Sequence, residues 1–255
     1  MNWLKNKGFG NTVDKKTFFC LSCCQKYVIL RTKQLSQKVT KMNEIAEQTS
    51  TFLLQVKAVK LNNEHPFTWA SGRKSPIYCD NRVTLSYPEI RTYIRQRFVE
   101  MIVDNFGDVD VIAGVATGGI AQGALVAQEL GKPFVYVRSE EKKHGLTNQI
   151  EGEIHSGQTV VVVEDLVSTG KSSLIAVHAL RDKGCVVKGM VAIFTYGLAV
   201  AAKNFDEANV ELHTLTNYDA LIKVACEQEY VREADLESLK TWRQNPELWS
   251  DQHMD

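Results

Sequence analysis

The stretch from Val160 to Ser173, VVVVEDLVSTGKSS, constrains the fold of this chain more than any other. Its four consecutive valines form an apolar run without alternation, which is typical of a strand covered on both faces in a parallel sheet. Glu164 and Asp165 follow the valines and lead into a turn rich in small and hydroxyl side chains. An apolar-periodic segment comes next and predicts a helix that ends near Gly184. This order of strand, acidic pair, turn and helix predicts an α/β fold.

The same order of residue types suits the binding of a sugar phosphate. Successive backbone N–H groups in the turn, at the positive end of a helix dipole, can bind a phosphate that small residues allow to approach closely. Carboxylates only accept hydrogen bonds and suit a pair of ribose hydroxyls. An ATPase phosphate loop is disfavoured, because that motif needs a glycine five residues before Gly170 and Asp165 stands there. An ordinary turn with a solvated acidic corner is the alternative.

Length and charge limit the architecture and the partners. A chain of 255 residues, 44% of them hydrophobic, can bury one sizeable core, so we expect one domain with appendages. The formal net charge is zero, but residues 1–42 hold nine lysines or arginines and one acid, which leaves a net charge of −8 on residues 43–255. An acidic main part gives no electrostatic footprint for nucleic acid. The scattered thiols are typical of a cytoplasmic enzyme: Cys79, Cys185 and Cys226.

Residues 1–41 are predicted to be a basic, poorly ordered extension. Their apolar stretch, residues 18–30, is too short to span a bilayer and lacks an A-x-A-like cleavage site, so no membrane partner is expected. We interpret the extension as the result of a start codon placed too far upstream of Met42, with an organelle-targeting leader as the alternative. No second cysteine pair or nearby histidine completes a zinc site with the cysteines clustered there, Cys20, Cys23 and Cys24.

The rest of the chain is predicted to alternate between strands and helices, which indicates a parallel sheet. Ser86 and Glu89 match a capping box, so a helix is expected over residues 86–106 with Met101 on its buried face. A strand-turn-strand stretch is predicted at residues 67–80. Further helices are expected at residues 45–61, 120–130 and 218–225, and strands at residues 109–113, 134–138, 186–195 and 210–215.

Four stretches of the chain resemble the type I phosphoribosyltransferases and, among these, the orotate phosphoribosyltransferase family. They are EDLVSTGKS at 164–172, FTWASGRKSPIYCDNR at 67–82, GVATGGIAQG at 114–123 and YVRSEEKKHGLTNQIEG at 136–152, in the family's order and spacing. The resemblance implies an α/β fold with a central, mostly parallel sheet flanked by helices and a small N-terminal hood over the base site. The expected parts are the extension 1–41, the transferase domain 42–226 with its hood 42–82, and a C-terminal helical tail 227–255.

The resemblance also implies a reaction. The ribose 5-phosphate group of phosphoribosyl diphosphate (PRPP) would pass to orotate, giving orotidine 5′-phosphate and diphosphate in pyrimidine (UMP) biosynthesis. Mg²⁺ would be the cofactor, held mainly by substrate and water rather than by direct protein ligands. Nine consecutive residues would bind PRPP: Glu164, Asp165, Leu166, Val167, Ser168, Thr169, Gly170, Lys171 and Ser172. Four residues would lie near orotate: Ser168, Tyr78, Arg73 and Lys74.

In the family, a mobile loop with an arginine, a lysine and a His-Gly pair closes over the partner subunit's site. Arg138, Lys142 and His144 occupy those positions, which implies a homodimer in which residues 138–144 act on the diphosphate in the other chain's site. The chain lacks cationic residues that many family members carry at four positions: Ala70, Gly118, Ser139 and Tyr196.

Two other functions stay open on the sequence alone. The chain could transfer the ribose phosphate to another purine or pyrimidine base, because the sugar-phosphate turn does not distinguish bases. It could also be a non-catalytic regulator that senses PRPP, although the retained loop lysine and histidine argue against this. All three hypotheses require an open cleft beside Glu164 and Asp165.

Overall fold

A six-stranded sheet lies at the centre of the computed structural model, which describes residues 36–69, 71–138 and 149–254. In chain order the strands are β1 (Val59–Leu61), β2 (Phe67–Thr68), β3 (Lys74–Ser75), β4 (Ile77–Cys79), β5 (Val111–Val115), β6 (Phe134–Val137), β7 (Ile150–Glu151), β8 (Thr159–Val167), β9 (Val186–Thr195) and β10 (Leu212–Asn217). The helices are α1 (residues 36–55), α2 (Pro88–Phe106), α3 (Gly118–Leu130), α4 (Lys171–Asp182), α5 (Ala199–Glu207), α6 (Tyr218–Glu227), α7 (Leu236–Gln244) and α8 (Pro246–Asp251).

The strand order in the main sheet is β10-β9-β8-β5-β6-β7. All neighbouring strands in it are parallel except β6 and β7, so the predicted α/β class with a mostly parallel sheet is confirmed. Two short antiparallel pairs, β1 with β4 and β2 with β3, precede the main sheet in the chain.

The valine run forms the core of β8, as its composition predicts. Val160 and Val162 belong to a core cluster that includes Val177 of α4, whereas Val161 and Val163 belong to another that includes Phe98 of α2. All four valines are fully buried. Because successive side chains of a strand point to opposite faces, the alternation shows that helices cover both faces of the sheet.

The chain divides into two units, Met1–Asn43 and Glu44–Asp255. In the first unit, the described residues 36–43 are helical and exposed. Across the part of the chain that the structure describes, no helix combines the length and the apolar character needed to cross a bilayer.

The predicted capping box at Ser86 is wrong, because α2 begins at Pro88 with Tyr87 as its N-cap and no side-chain cap hydrogen bond. Ser86 instead ends a 3-10 helix, Asn81–Ser86. The Pro88 ring excludes helical backbone angles at the preceding residue, and Tyr87 is accordingly extended, with φ −114° and ψ 99°. The buried positions of α2 include Ile102, whereas Met101 is only half-buried. Similarly, α1 covers residues 36–55 and Leu61 lies in β1, so the first helix begins and ends earlier than the predicted range 45–61.

The C-terminal helices α7 and α8 pack into the main core. Trp242 of α7 is fully buried and Trp249 of α8 is 2% exposed. The Trp242 ring lies 5.9 Å from Trp69 and 5.6 Å from Tyr196, measured between centroids. The tail thus contributes aromatic side chains to the core beside β2 and β9.

We expect Trp242→Ala to destabilise the protein by about 3–5 kcal/mol, because deletion of a buried tryptophan leaves a cavity that its neighbours only partly fill. Urea denaturation would measure the change in the free energy of unfolding. As a control, Leu248→Ala on α8 removes a side chain that is 52% exposed, and its effect should stay within about 0.5 kcal/mol. Equal effects of the two changes would contradict a core role for Trp242.

Candidate active site

The acidic pair lies where β8 extends past its neighbour β5. Pairing of β5 with β8 ends at Gly114 and Val163, whereas pairing of β8 with β9 continues to Val167. A cleft therefore opens at the carboxyl end of β8, as is general for ligand sites in parallel α/β sheets. This acidic cleft has a volume of about 460 Å³ and is lined mainly by residues 115–118, 164–166 and 168–172.

Both carboxylates line the acidic cleft, although they differ in exposure. Glu164 is 4% exposed; its Oε2 accepts a hydrogen bond from Ser173 Oγ at 2.9 Å and its Oε1 accepts one from the Asp165 N–H at 3.0 Å. Asp165 is half-buried. Burial, and next the charge of Asp165, raise the pKa of Glu164 well above its usual range. Burial also raises the pKa of Asp165, while the Arg82 guanidinium opposes the rise. The open cleft that the sequence hypotheses required is present.

Within the part of the chain that the structure describes, no side chain caps the N-terminus of α4 after the turn. Gly170 is the N-cap residue in a left-handed conformation, φ 78°, and a Cβ there would collide with the Phe205 ring. The Asn204 Nδ2 group donates to the Thr169 carbonyl at 2.9 Å and so helps to hold the turn. The first N–H groups of a helix have no partner within the helix, so the start of α4 suits an anion.

The resemblance groups Leu166 and Val167 with the residues that would bind PRPP, and the structure places both at the end of β8, before the turn. Val167 is fully buried, and its carbonyl accepts hydrogen bonds from Tyr196 and Thr195. The Val167 side chain therefore does not line the acidic cleft. Leu166 is half-buried and lines the cleft. The turn itself comprises Ser168–Gly170, and α4 begins at Lys171.

The opposite wall of the acidic cleft is the turn between β5 and α3. It contains a cis peptide bond between Ala116 and Thr117. A Cβ at residue 118 would collide with the carboxyl group of Asp165, and one at residue 119 would collide with the Val163 carbonyl oxygen. Only glycine therefore allows the start of α3 to approach β8 this closely. A lysine at position 118, which some family members carry, would require Asp165 to move.

We expect Gly118→Ala to lower turnover about 100-fold, because the added methyl group displaces the Asp165 carboxyl group, and a shift of about 1 Å at a reacting centre has effects of this size. Steady-state kinetics would measure the loss. Thermal unfolding serves as the control, since alanine is well suited to the first turn of a helix and the melting temperature should change little. Unaltered turnover would show that the position of the carboxyl group is unimportant.

A second cavity adjoins the acidic cleft and is largely aromatic. This aromatic cavity has a volume of about 390 Å³ and shares Leu166 and Ser168 with the cleft. Its other lining residues are Trp69, Ser71, Tyr78, Cys79 and Tyr196. Of the predicted base contacts, Tyr78 and Ser168 lie here. Three lining residues were not predicted as site residues: Trp69, Cys79 and Tyr196. Trp69 and Cys79 belong to the family-like stretch 67–82, and Tyr196 stands where family members carry an arginine, so both facts could have indicated the site.

Arg73 and Lys74 line a different cavity from Tyr78. This C-terminal cavity, of about 370 Å³, lies between β3 and the α7–α8 segment, and Trp69 and Ser168 border both cavities. The Arg73 guanidinium pairs with Glu247 of α8, and the Lys74 N–H donates to Ser250 Oγ at 2.9 Å. The structure thus does not bring Arg73 and Lys74 together with Tyr78.

Of the predicted loop residues, only Arg138 belongs to the part of the chain that the structure describes. Its N–H donates to the Gln149 carbonyl at 2.9 Å, and its Nη1 lies 3.7 Å from Glu151 Oε1. The preceding residue, Val137, accepts a hydrogen bond from the Ala116 N–H at 2.8 Å, so Arg138 follows the strand next to the cleft wall. Lys142 and His144 lie outside the described residues.

Comparisons with known proteins agree with this geometry. A family model described as phosphoribosyl transferase domain matches residues 86–230. The orotate phosphoribosyltransferase of Porphyromonas gingivalis is 54% identical over 208 residues, which cover 82% of this chain and 99% of that protein. That of Listeria innocua is 55% identical over 205 residues, covering 80% of this chain and 98% of that protein.

A solved structure of an orotate phosphoribosyltransferase also has a similar fold. The crystal structure of orotate phosphoribosyltransferase from Aeropyrum pernix has a TM-score of 0.62 and 29% identity, and the match covers 72% of this chain and 99% of that one. The predicted family is therefore confirmed, and this chain belongs to the orotate phosphoribosyltransferases.

Proposed function

We propose that this chain transfers the ribose 5-phosphate group of PRPP to orotate, which yields orotidine 5′-phosphate and diphosphate for pyrimidine biosynthesis. The observation that carries the proposal is the continuity of the acidic cleft with the aromatic cavity through Leu166 and Ser168. A sugar phosphate in the cleft would present its anomeric carbon to a planar base in the cavity. The share of sequence identity with relatives of that name gives independent support.

In the proposed reaction, the acidic cleft binds and orients the ribose phosphate. Glu164 and Asp165 accept hydrogen bonds from the ribose hydroxyls, and the N–H groups of residues 168–172 bind the 5′-phosphate. Loss of diphosphate builds positive charge on the ribose ring, which the two adjacent carboxylates stabilise. Placed charges of this kind lower the barrier without a covalent nucleophile.

The residues of the acidic cleft fit Mg²⁺ as a cofactor. Among the described residues, no group of three or more His, Cys, Asp or Glu side chains could hold a metal ion alone. Two adjacent carboxylates in an open cleft nevertheless suit an ion that keeps several waters and takes substrate oxygens as ligands. When bound, Mg²⁺ would supply positive charge to the diphosphate oxygens. Glu164 and Asp165 would accept hydrogen bonds from the ribose hydroxyls, and substrate and water would supply most ligands of the ion.

We also propose a cytoplasmic homodimer in which Arg138, Lys142 and His144 stabilise the departing diphosphate in the other chain's site. The sequence pattern of the loop supports this, together with the position of Arg138 directly after a residue bonded to the cleft wall. A loop that closes over bound substrate excludes water and brings its cations to the leaving group.

A spectroscopic assay of orotate consumption with PRPP and Mg²⁺ tests the proposed activity. The described residues of the aromatic cavity carry no cationic side chain, so uracil, adenine and hypoxanthine belong in the same experiment. We expect consumption of orotate with one diphosphate released per orotate. Activity with another base and none with orotate would show a different transferase, and PRPP binding without diphosphate release would show a regulator.

A further inference from the structure

Asn81 connects the aromatic cavity to the acidic cleft through one buried side chain. Its Nδ2 group donates to the main-chain carbonyl of Asp165 at 2.6 Å, and its Oδ1 accepts a hydrogen bond from Cys79 Sγ at 3.3 Å. Asn81 is 1% exposed. Cys79 lines the aromatic cavity and Asp165 lines the acidic cleft. The planar amide is thus bonded to a residue of each site.

The Asp165 main chain depends on side chains because β5 ends before it. The last β5 residue paired with β8 is Gly114, opposite Val163. Beyond that point, the Asp165 N–H donates to Glu164 and the Asp165 carbonyl accepts from Asn81. Asn81 therefore supplies a hydrogen bond that a neighbouring strand would otherwise provide, and it holds the backbone that carries the carboxylate.

The local structure around Asn81 leaves its amide little freedom. Asn81 begins the 3-10 helix one residue after β4 ends, and the buried Thr84 hydroxyl donates to its carbonyl at 2.6 Å. The side chain of the next residue, Arg82, forms two hydrogen bonds with the Asp80 carboxylate, at 2.7 and 3.0 Å, and its backbone N–H forms a third at 3.2 Å. A satisfied polar group in a dry, low-dielectric setting is held stiffly, because any movement leaves a buried donor or acceptor unpaired.

We propose that Asn81 is a positioning residue that couples occupancy of the aromatic cavity to the position of the Asp165 carboxylate. This inference rests on the proposed function, since it assigns the base to the cavity and the ribose to the cleft. A base that packs against Cys79 restrains β4, Asn81 transmits the restraint to the Asp165 main chain, and the carboxylate is held for the ribose hydroxyls. Binding in either site then favours binding in the other by the same factor.

Titration calorimetry with two non-reacting partners tests the coupling. Orotate binding is measured with the full chain alone and with the chain saturated with ribose 5-phosphate, which fills the cleft but lacks a leaving group. We expect ribose 5-phosphate to tighten orotate binding about fivefold or more in the unaltered chain, within the usual range of such coupling. In Asn81→Leu, which has a similar shape but neither hydrogen bond, the factor should fall below about twofold.

Further variants separate coupling from a general loss of structure. Cys79→Ala should weaken the coupling, whereas Cys79→Ser, which keeps a donor to Asn81, should retain more of it. If Asn81→Leu does not fold, the comparison of these two variants tests whether the hydrogen bond to Asn81 carries the coupling. Thr216→Val is the matched control, because it removes a buried side-chain hydrogen bond, to Ser50 at 2.7 Å, far along the sequence from Asn81.

Several results would overturn the inference. Coupling of equal size in the unaltered chain and in Asn81→Leu would do so, as would its absence from the unaltered chain. Equal loss in Thr216→Val would show that any buried hydrogen bond has the same effect. Failure of the unaltered chain to consume orotate in the kinetic assay would instead contradict the proposed function, so the two failures are distinguishable.

Discussion

Asp165→Asn is expected to lower turnover by about 10- to 150-fold. A hydrogen bond to a charged group contributes about 1.5–3 kcal/mol, and the loss of that free energy from the transition state lowers the rate by this factor. Asparagine has nearly the same shape but carries no charge to stabilise the ribose cation, and its NH₂ group cannot accept a hydrogen bond from a ribose hydroxyl. The main-chain hydrogen bond from Asn81 does not involve the replaced group and remains. Steady-state kinetics with PRPP and orotate would measure the effect.

Two comparison variants separate the role of Asp165 from general effects of charge. Asp182→Asn removes an exposed carboxylate at the end of α4 and should leave turnover unchanged. Glu164→Gln should also lower turnover, because the Glu164 carboxylate lines the acidic cleft beside Asp165. Equal turnover of Asp165→Asn and Asp182→Asn would exclude the Asp165 carboxylate from the reaction and contradict its proposed role.

Lys142→Ala is expected to lower turnover about 10²- to 10³-fold, as is typical when one preorganised charge is removed from a transition state. PRPP affinity should change much less, because the proposed contact forms only in the closed, reacting state. Lys143 is the matched control, since it is the adjacent lysine but does not occupy a family position. A similar loss in Lys143→Ala would indicate a general effect of loop charge.

Mixed dimers test whether the loop acts on the partner subunit. If Lys142→Ala chains are mixed with Asp165→Asn chains, each mixed dimer has one intact site only when the loop acts across the interface. Random mixing within a two-fold dimer then restores roughly a quarter of normal activity. Recovery near zero would place Lys142 in its own chain's site and contradict the proposed arrangement.

Local sequence patterns predicted much of the fold correctly. Val186–Thr195 was predicted as a strand over the same residues that form β9, and the segment after Gly170 forms the predicted α4. These elements depend on hydrophobic period and on neighbouring turn residues, which are properties of a short window of sequence. The capping box at Ser86 failed, although it is also a local pattern, because the conformational restriction imposed by Pro88 overrides it.

The extent of β8 depended on residues far along the chain. The sequence pattern indicated a strand over the valine run at residues 160–163, but Leu166 and Val167 pair with Phe194 and Thr195 of β9 and so continue β8. A strand ends where its neighbour stops supplying hydrogen bonds, and the position of that neighbour is not a local property.

In the candidate site, too, some features follow from local sequence and others depend on residues far along the chain. The acidic pair and the turn before α4 were predicted from one contiguous stretch, and the structure places them in an open cleft. Arg73 was predicted near orotate with Tyr78, but it pairs with Glu247, 174 residues away in the chain, and lines a different cavity. Trp69, Tyr196 and Trp242 pack together from three distant segments, and no local pattern marks that contact.

By itself, the sequence determined the order of strand, acidic pair, turn and helix, because a residue's neighbours in the chain set hydrophobic period and backbone conformation. Only the tertiary structure decided which cavity Arg73 and Lys74 line, how far β8 extends and which side chain supports Asp165. Asn81 lies 84 residues before its partner Asp165, so their hydrogen bond exists only after the hood strands and the main sheet have packed. Such contacts depend on the packing of whole elements, which the periodicity of one segment does not encode.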